Sequence, residues 1–473
     1  MKHAADSKIK SNVRRPSQKK LAARGKLTAP LRVWLTKSFQ PFHFTKEHDQ
    51  ILPYEEGDNL GLYVHIPFCR SICRFCPYCK VVYDEQLAEA YLKALLKEID
   101  LVGGMGPVRR GAVLGKESNM AEGPDMEAGN MAEAAHKGPK SKKAVTSLYF
   151  GGGSPALLAD SLGEIIGRLK RYFIIREGIG AELHPEDVKE ETLLKLKEAG
   201  VTKISIGVQS FQKESLGILG RKQPDYPALF AALKAVPFDT VSMDLIFAIP
   251  GQTGEGLKAD IEQAFAGGAD QIAAYPFIDF TFAENPAPPL PEREKKRLLQ
   301  EIADYCREKG YVRTSIWTFA KAGGDKYSSM TREQFLGFGP SAATLLARQF
   351  KINTFSVEGY VDRIEKGLLP TGLTLRFTRR QRMVYYLFWT AYTMAVKEKD
   401  FREFFGVSLG SQYGFELLAC RLLGLARKKG DAYYVTDKGA YYYHYLEQFY
   451  TLSYIDKMWN LMRKTAFPEE MFL

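Results

Sequence analysis

The segment GIGAELHPEDVKEETLLKLKEAGVTKISIGVQS, residues 178–210, decides the architecture, because an apolar run, a helical stretch and a second apolar run follow one another within it. GIGAELHP (178–185) reads as a strand, ETLLKLKEAG (191–200) as a helix closed by glycine, and VTKISIGVQS (201–210) as the next strand. The same unit repeats in both directions. VTSLYFGGG (145–153) precedes it, and DYPALFAALKAV (225–236), TVSMDLIFAIPG (240–251), GLKADIEQAFAGG (256–268) and QIAAYPFI (271–278) follow. With LYVHIPF (62–68), six strands alternating with helices are expected, which is the pattern of a parallel sheet. The fold class is α/β, a partial (β/α)6 TIM-like barrel. Chemistry in such sheets collects at the C-terminal strand ends. The unusual motifs fall there: a cysteine cluster, Gly151-Gly152-Gly153-Ser154-Pro155, Glu182-Leu183-His184-Pro185, Gln209-Ser210, Asp244 and Pro250-Gly251.

The rest of the chain is arranged around this barrel. Residues 1–58 form an N-terminal arm, expected to be disordered at its start. Residues 1–46 hold twelve Lys/Arg and one acid, so they account for the whole formal charge of +11 and leave the remainder neutral. The basicity therefore belongs to a solvated arm and not to a folded nucleic-acid face. Residues 59–290 are the barrel, with a helix in DEQLAEAYLKALLKEIDL (84–101) and an aperiodic insertion at 102–144 expected to be disordered. A Pro-rich break, FAENPAPPLPERE (282–294), opens an extension over 291–370, with a helix at 292–309, then YVRTSIWTFA (311–320) and a Gly-rich loop, QFLGFGPSA (334–342). Residues 371–473 read as a mainly helical, winged-helix-like module whose aromatic face packs on the barrel. No run of about 18 apolar residues and no signal peptide is present, so a cytoplasmic protein without a membrane span is expected.

FCRSICRFCPYCK (68–80) holds four of the six cysteines. A structural zinc would want four thiolates, usually as two separated pairs on different elements. Cys73, Cys76 and Cys79 could begin a ferredoxin-type run, but no fourth Cys-Pro follows at the required offset. A third possibility takes Cys69, Cys73 and Cys76 as C-x3-C-x2-C, three thiolates on a four-iron cluster with one iron open to a chelating ligand.

LYVHIPFC-x3-C-x-F-C resembles the radical S-adenosylmethionine (SAM) superfamily, and within it the oxygen-independent coproporphyrinogen III oxidase-like group, from about Gly61 to beyond Pro276. The resemblance implies a [4Fe-4S] cluster on Cys69, Cys73 and Cys76, with the open iron holding SAM, whose one-electron cleavage gives methionine and a 5′-deoxyadenosyl radical. Cys79 is then a bystander, one position away from the extra cysteine of the group. Gly152, Gly153 and Ser154 look like the family's methionine-binding turn, offering N–H donors to a carboxylate. Glu182 suits the SAM ammonium or ribose, and Phe75 looks like the adenine-contacting aromatic. Tyr63 and His65 share one face of the first strand, where they are expected to bind cofactor or take part in catalysis. Gln209, Arg221 and Asp244 match positions that contact a second SAM, so one SAM is implied and a second by the narrower pattern.

The group includes decarboxylases, methyltransferases, haem-degrading enzymes and haem chaperones. Oxidative decarboxylation of coproporphyrinogen III in porphyrin biosynthesis ranks first, class C radical methyl transfer second, and a haem chaperone or haem-degrading role third. A tetrapyrrole substrate and an electron donor such as flavodoxin or ferredoxin are implied partners. Arg313, Lys321 and Lys326 are expected to meet substrate carboxylates, and His43, His48 and His136 to be solvated and not haem ligands. ELHP stands where the family more often has EVDP, consistent with a divergent paralogue.

Overall fold

Six strands, β1 (Leu60–Ile66), β2 (Leu148–Gly152), β3 (Ile179–Leu183), β4 (Lys203–Gln209), β5 (Thr240–Phe247) and β6 (Gln271–Pro276), pair in parallel in sequence order in a computed structural model. The structure describes residues 29–46, 52, 54, 59–106, 142–283, 288–324 and 333–473. Each strand feeds a helix that returns along the outside: α1 (Glu85–Met105), α2 (Ala159–Leu169), α3 (Glu190–Glu198), α4 (Lys213–Leu219) with α5 (Tyr226–Ala235), α6 (Gly254–Ala266) and α7 (Glu292–Glu308). Local chemistry starts several of them. Asp84 accepts from Leu87 N at 2.9 Å and Thr253 from Gly256 N at 3.1 Å, satisfying N-terminal donors that a helix leaves free. The core lies between sheet and helices, with Val64, Phe150, Ala181 and Ile206 fully buried on neighbouring strands. Burial on both faces explains why these strands are apolar runs and not alternating ones.

The sheet is larger than the sequence pattern suggests. Beyond β6 it continues antiparallel through β7 (Thr318–Ala320). On the other side of β1 lies a seventh parallel strand, β8 (Gln334–Phe338), followed by antiparallel β9 (Ala343–Leu345), β10 (Gln349–Asn353) and β11 (Thr371–Arg376). The stretch expected as a Gly-rich loop is therefore a barrel strand with a tight turn. A Cβ on Gly337 would lie 2.2 Å from the Ala343 carbonyl oxygen, so the glycine marks the close return of the chain.

The helix α8 (Val357–Glu365) precedes β11, and beyond β11 the chain builds the winged-helix order. The helices α9 (Arg379–Tyr392), α10 (Glu398–Phe405) and α11 (Leu409–Leu422) are interleaved with a small sheet of β12 (Ala395–Lys397), β13 (Ala426–Lys429) and β14 (Ala432–Val435). Two further helices, α12 (Asp437–Tyr450) and α13 (Asp456–Lys464), return to the barrel. The arm also differs from expectation. Residues 29–36 are helical, Arg380 Nε donates to Leu35 O at 3.0 Å, and strand His43–Thr45 pairs with both β11 and Glu470–Phe472. Its partners come from the far end of the chain, which local pattern does not reveal. The start of the arm (1–28) and the 107–141 part of the insertion lie outside the described residues. No helix among the described residues is long and apolar enough to cross a membrane.

Candidate active site

A cavity of about 1160 Å³ opens at the C-terminal ends of the barrel strands and extends to the aromatic face of α9 and α12–α13. The residues expected to bind the cluster and SAM or to act in catalysis line it: Cys69, Cys73, Cys76, Phe75, Tyr63, His65, Gly152, Gly153, Ser154, Glu182, Gln209, Arg221 and Asp244. The strand ends deliver them from separate βα units, as the topology requires.

The cysteine loop between β1 and α1 has little regular structure and is held by side chains. Lys80 Nζ donates to the Cys76 carbonyl at 2.6 Å and the Cys73 carbonyl at 3.2 Å, knotting the loop from inside. Arg70 Nε reaches Asp187 at 2.8 Å, and Asp187 also accepts from the Ser154 hydroxyl, tying the loop to the glycine turn. Arg463 on α13 donates to Tyr78 O at 3.0 Å and to Pro77 O. Asp187, Lys80 and Arg463 were not singled out from the sequence, since nothing in their local pattern marks them.

Burial pushes the Cys69 thiol up to about 12, and the neighbouring Cys76 and Cys73 add to it. Arg221 Nε donates to Cys73 Sγ at 3.3 Å, and its guanidinium lies 5.3 Å from the Phe75 ring centre. A Cys69 thiol this reluctant to ionise, with only Lys80 and Arg221 to offset its burial, suits an occupant that brings positive charge of its own. Among the described residues no three His, Cys, Asp or Glu side chains are placed to hold a single metal ion. A zinc ion needs its sulfurs about 2.3 Å from one centre, whereas cluster cysteines bind different irons. The donor set therefore fits a cluster better than a zinc. Cys79 stands apart: it is buried, its thiol donates to Phe355 O at 3.1 Å, and burial pushes it up to about 11.

His65 Nε2 lies 2.9 Å from the Cys79 carbonyl, which only accepts, so Nε2 carries the proton. The bare Nδ1 then accepts from the Tyr63 hydroxyl at 3.0 Å. Burial lowers the His65 pKa to about 4, so at neutral pH it is an uncharged link between the first strand and the cysteine loop. Tyr63 is also buried, and its phenol is pushed well above its ordinary range by burial and then by Glu182.

The glycine turn is less free than expected. Gly152 N donates to Glu182 Oε2 at 2.9 Å, Gly153 N to Ile66 O at 2.7 Å and Ser154 N to Phe68 O at 2.7 Å. All three N–H groups thus have partners within the protein. A Cβ on Gly152, whose φ is +111°, would lie 2.5 Å from the His65 ring, so packing on the histidine demands this glycine. Glu182 and Asp244 lie near one another. Burial and then Asp244 raise Glu182 to about 7, and burial raises Asp244 to about 7 despite the 3.0 Å bond from Ser205. Two buried carboxyls sharing one space favour a cationic ligand between them. Gln209 holds a left-handed backbone at φ +70°, an uncommon conformation for a non-glycine residue and one found at functional positions.

Two expected carboxylate ligands are elsewhere. Arg313 donates to Ile316 O and pairs with Asp437 at 3.4 Å. Lys321 sits at the opposite end of the barrel, beside Asp270 at the start of β6, at 3.8 Å. Lys326, His48 and His136 lie outside the described residues. His43 stacks on Phe472 with ring centres 4.2 Å apart and bonds Glu470 at 2.9 Å, so it is a strand-edge contact. Tyr78, Tyr275 and Tyr392 line the cavity and were missed, their chain positions being far apart.

Residues 63–264 match the family model described as the radical SAM superfamily. The chain is 28% identical over 395 residues to the heme chaperone HemW of Bacillus subtilis, covering 80% of this chain and 95% of that one. It is 23% identical over 441 residues to an oxygen-independent coproporphyrinogen III oxidase of Synechocystis, covering 86% and 87%. Among solved structures, coproporphyrinogen III oxidase (HemN) from Escherichia coli aligns with a TM-score of 0.66 at 20% identity, over 88% of this chain and 98% of that one, a likeness of fold.

Proposed function

The chain belongs to the HemN/HemW-like family of the radical SAM superfamily, and from that premise we propose that it performs radical chemistry on a tetrapyrrole. Its cofactors are a [4Fe-4S] cluster and SAM. When bound, they supply one-electron cleavage of a carbon–sulfur bond and hence hydrogen-atom abstraction. Cys69, Cys73 and Cys76 would hold the cluster, Glu182 and Asp244 would face the positive groups of SAM, and Phe75 and Arg221 would flank it. His65 holds Tyr63 toward the cavity, and the aromatic walls exclude water from the reacting side chain.

The observation that carries the proposal is the cavity. Ligand pockets commonly enclose about 300–1000 Å³, and this one, near 1160 Å³, runs from the thiols to a wall of Tyr385, Trp389, Tyr450 and Trp459. It has room for a large flat ligand beside SAM. Oxidative decarboxylation of a ring propionate is the first form of this chemistry, and the Synechocystis relative carries the name coproporphyrinogen III oxidase. Radical methyl transfer to a tetrapyrrole is the second, and the engagement of every lining cation favours it.

The test is anaerobic reconstitution with iron and sulfide, followed by incubation with SAM and coproporphyrinogen III under a low-potential electron donor such as flavodoxin. Vinyl product supports decarboxylation and S-adenosylhomocysteine supports methyl transfer. Tight haem binding without SAM cleavage would replace both with the chaperone role that the B. subtilis relative's name carries.

A further inference from the structure

The described residues give the cavity little positive charge. Among the described residues, the lysines and arginines that line it are Arg70, Lys80, Arg221 and Lys397, and each is engaged. Arg70 bonds Asp187, Lys80 two loop carbonyls, Arg221 Cys73 and Gly207, and Lys397 lies 3.5 Å from Asp400. Carboxyls are more numerous: Glu182, Asp244, Glu333, Asp400 and Glu447 line the same space besides Asp187. An uncompensated carboxylate buried here would lose its hydration without a cation to replace it. What the inner end offers instead is phenols. Tyr275 projects from the end of β6 and Tyr78 from the cysteine loop. The two residues are 38% and 47% exposed and both line the cavity. A phenol is protonated at neutral pH, so both hydroxyls are neutral hydrogen-bond donors on the cavity wall.

We propose that this cavity takes a tetrapyrrole whose carboxylates leave along one edge, toward the rim, with at most one inward carboxyl received by the hydroxyls of Tyr78 and Tyr275. The inference rests on the tetrapyrrole reading and narrows it to the charge of the substrate: a macrocycle with carboxylates on all sides fits this lining poorly, and one with two on a single edge fits it well. It weighs against decarboxylation of coproporphyrinogen III, which carries carboxylates on all sides, because it concerns which part of the ligand is inside.

Oxidised porphyrins test it without turnover. Full-length protein is titrated with coproporphyrin III, its tetramethyl ester and protoporphyrin IX, and dissociation constants are read from the porphyrin absorption band and from quenching of protein fluorescence. Protoporphyrin and the ester are expected to bind at least ~10-fold more tightly than coproporphyrin. Tyr275→Arg, which places a cation on the wall, is expected to narrow that gap at least ~5-fold by pairing an inward carboxylate, and Tyr275→Phe to leave the ranking unchanged. Tyr78→Lys serves the same purpose should Tyr275→Arg fail to fold. Coproporphyrin binding as tightly as protoporphyrin, or a gap unmoved by the added cation, would overturn the charge inference. Failure of all three porphyrins to bind would overturn the tetrapyrrole reading and this inference with it.

Discussion

Cys79 shows how much a single hydrogen bond can decide in a loop crowded with thiols. Its Sγ is buried and spends its proton on Phe355 O. Cys79→Ala is therefore expected to keep full iron and sulfide content after reconstitution, while Cys69→Ala, Cys73→Ala and Cys76→Ala each lose most of it. His65 is the second decisive residue. Its tautomer follows from the Cys79 carbonyl, and through it Tyr63 is aimed. His65→Phe removes the partner of two buried polar groups, and at 1–3 kcal/mol for each unsatisfied group the fold is expected to lose about 2 kcal/mol or more in urea denaturation. Both side chains were legible from their two-residue spacing on β1; their hydrogen bonding was not, because Cys79 O lies fourteen positions away.

Between elements, buried polar contacts fix how the barrel closes. Glu98 on α1 accepts from Gly339 N at 2.8 Å, Tyr360 Oη on α8 at 2.7 Å and Asn353 Nδ2 on β10 at 3.3 Å, joining the extension to the first βα unit. Burial raises its pKa to about 7 against these three opposing donors. The folded protein thus holds this proton more tightly than the unfolded chain, so the associated stability is complete below the ordinary carboxyl range and is lost as pH rises toward 7 and beyond. The 2.5-unit difference between 4.5 and about 7 corresponds to roughly 3 kcal/mol. Glu98→Gln is expected to lose that part of the decline, visible as a smaller difference between urea midpoints at pH 5 and pH 8 than in the parent chain. The contact of α13 with the cysteine loop has a local consequence. Arg463→Ala is expected to speed cluster loss to a chelator while lowering global stability by only about 1 kcal/mol, because the bonds it removes anchor a loop and not the core. Helix positions such as 292–308 were legible because their apolar residues recur at helical spacing. The strand β8 was not, since Gly337 within it and Gly339 just after it look like a loop until β1 and β9 are seen to flank it.

At the scale of the whole molecule, charge and closure separate. The net charge of +11 resides in residues 1–46, most of it before residue 29. Deleting residues 1–28 is expected to shift cation-exchange elution sharply to lower salt. Deleting 468–473 should lower the melting temperature, because strand Glu470–Phe472 covers His43–Thr45, and Met471 and Leu473 pack on a core that includes Phe44 and Met458. The alternation of strand and helix, the six parallel strands and the C-x3-C-x2-C spacing of Cys69, Cys73 and Cys76 were set by the sequence alone, because periodicity and short spacings are local properties of a chain. The engaged N–H groups of the glycine turn, the misplaced Arg313 and Lys321, the folded end of the arm and the phenol-lined, cation-poor cavity were decided only by tertiary structure. Each depends on groups tens to hundreds of residues apart, whose meeting the topology of the sheet alone determines.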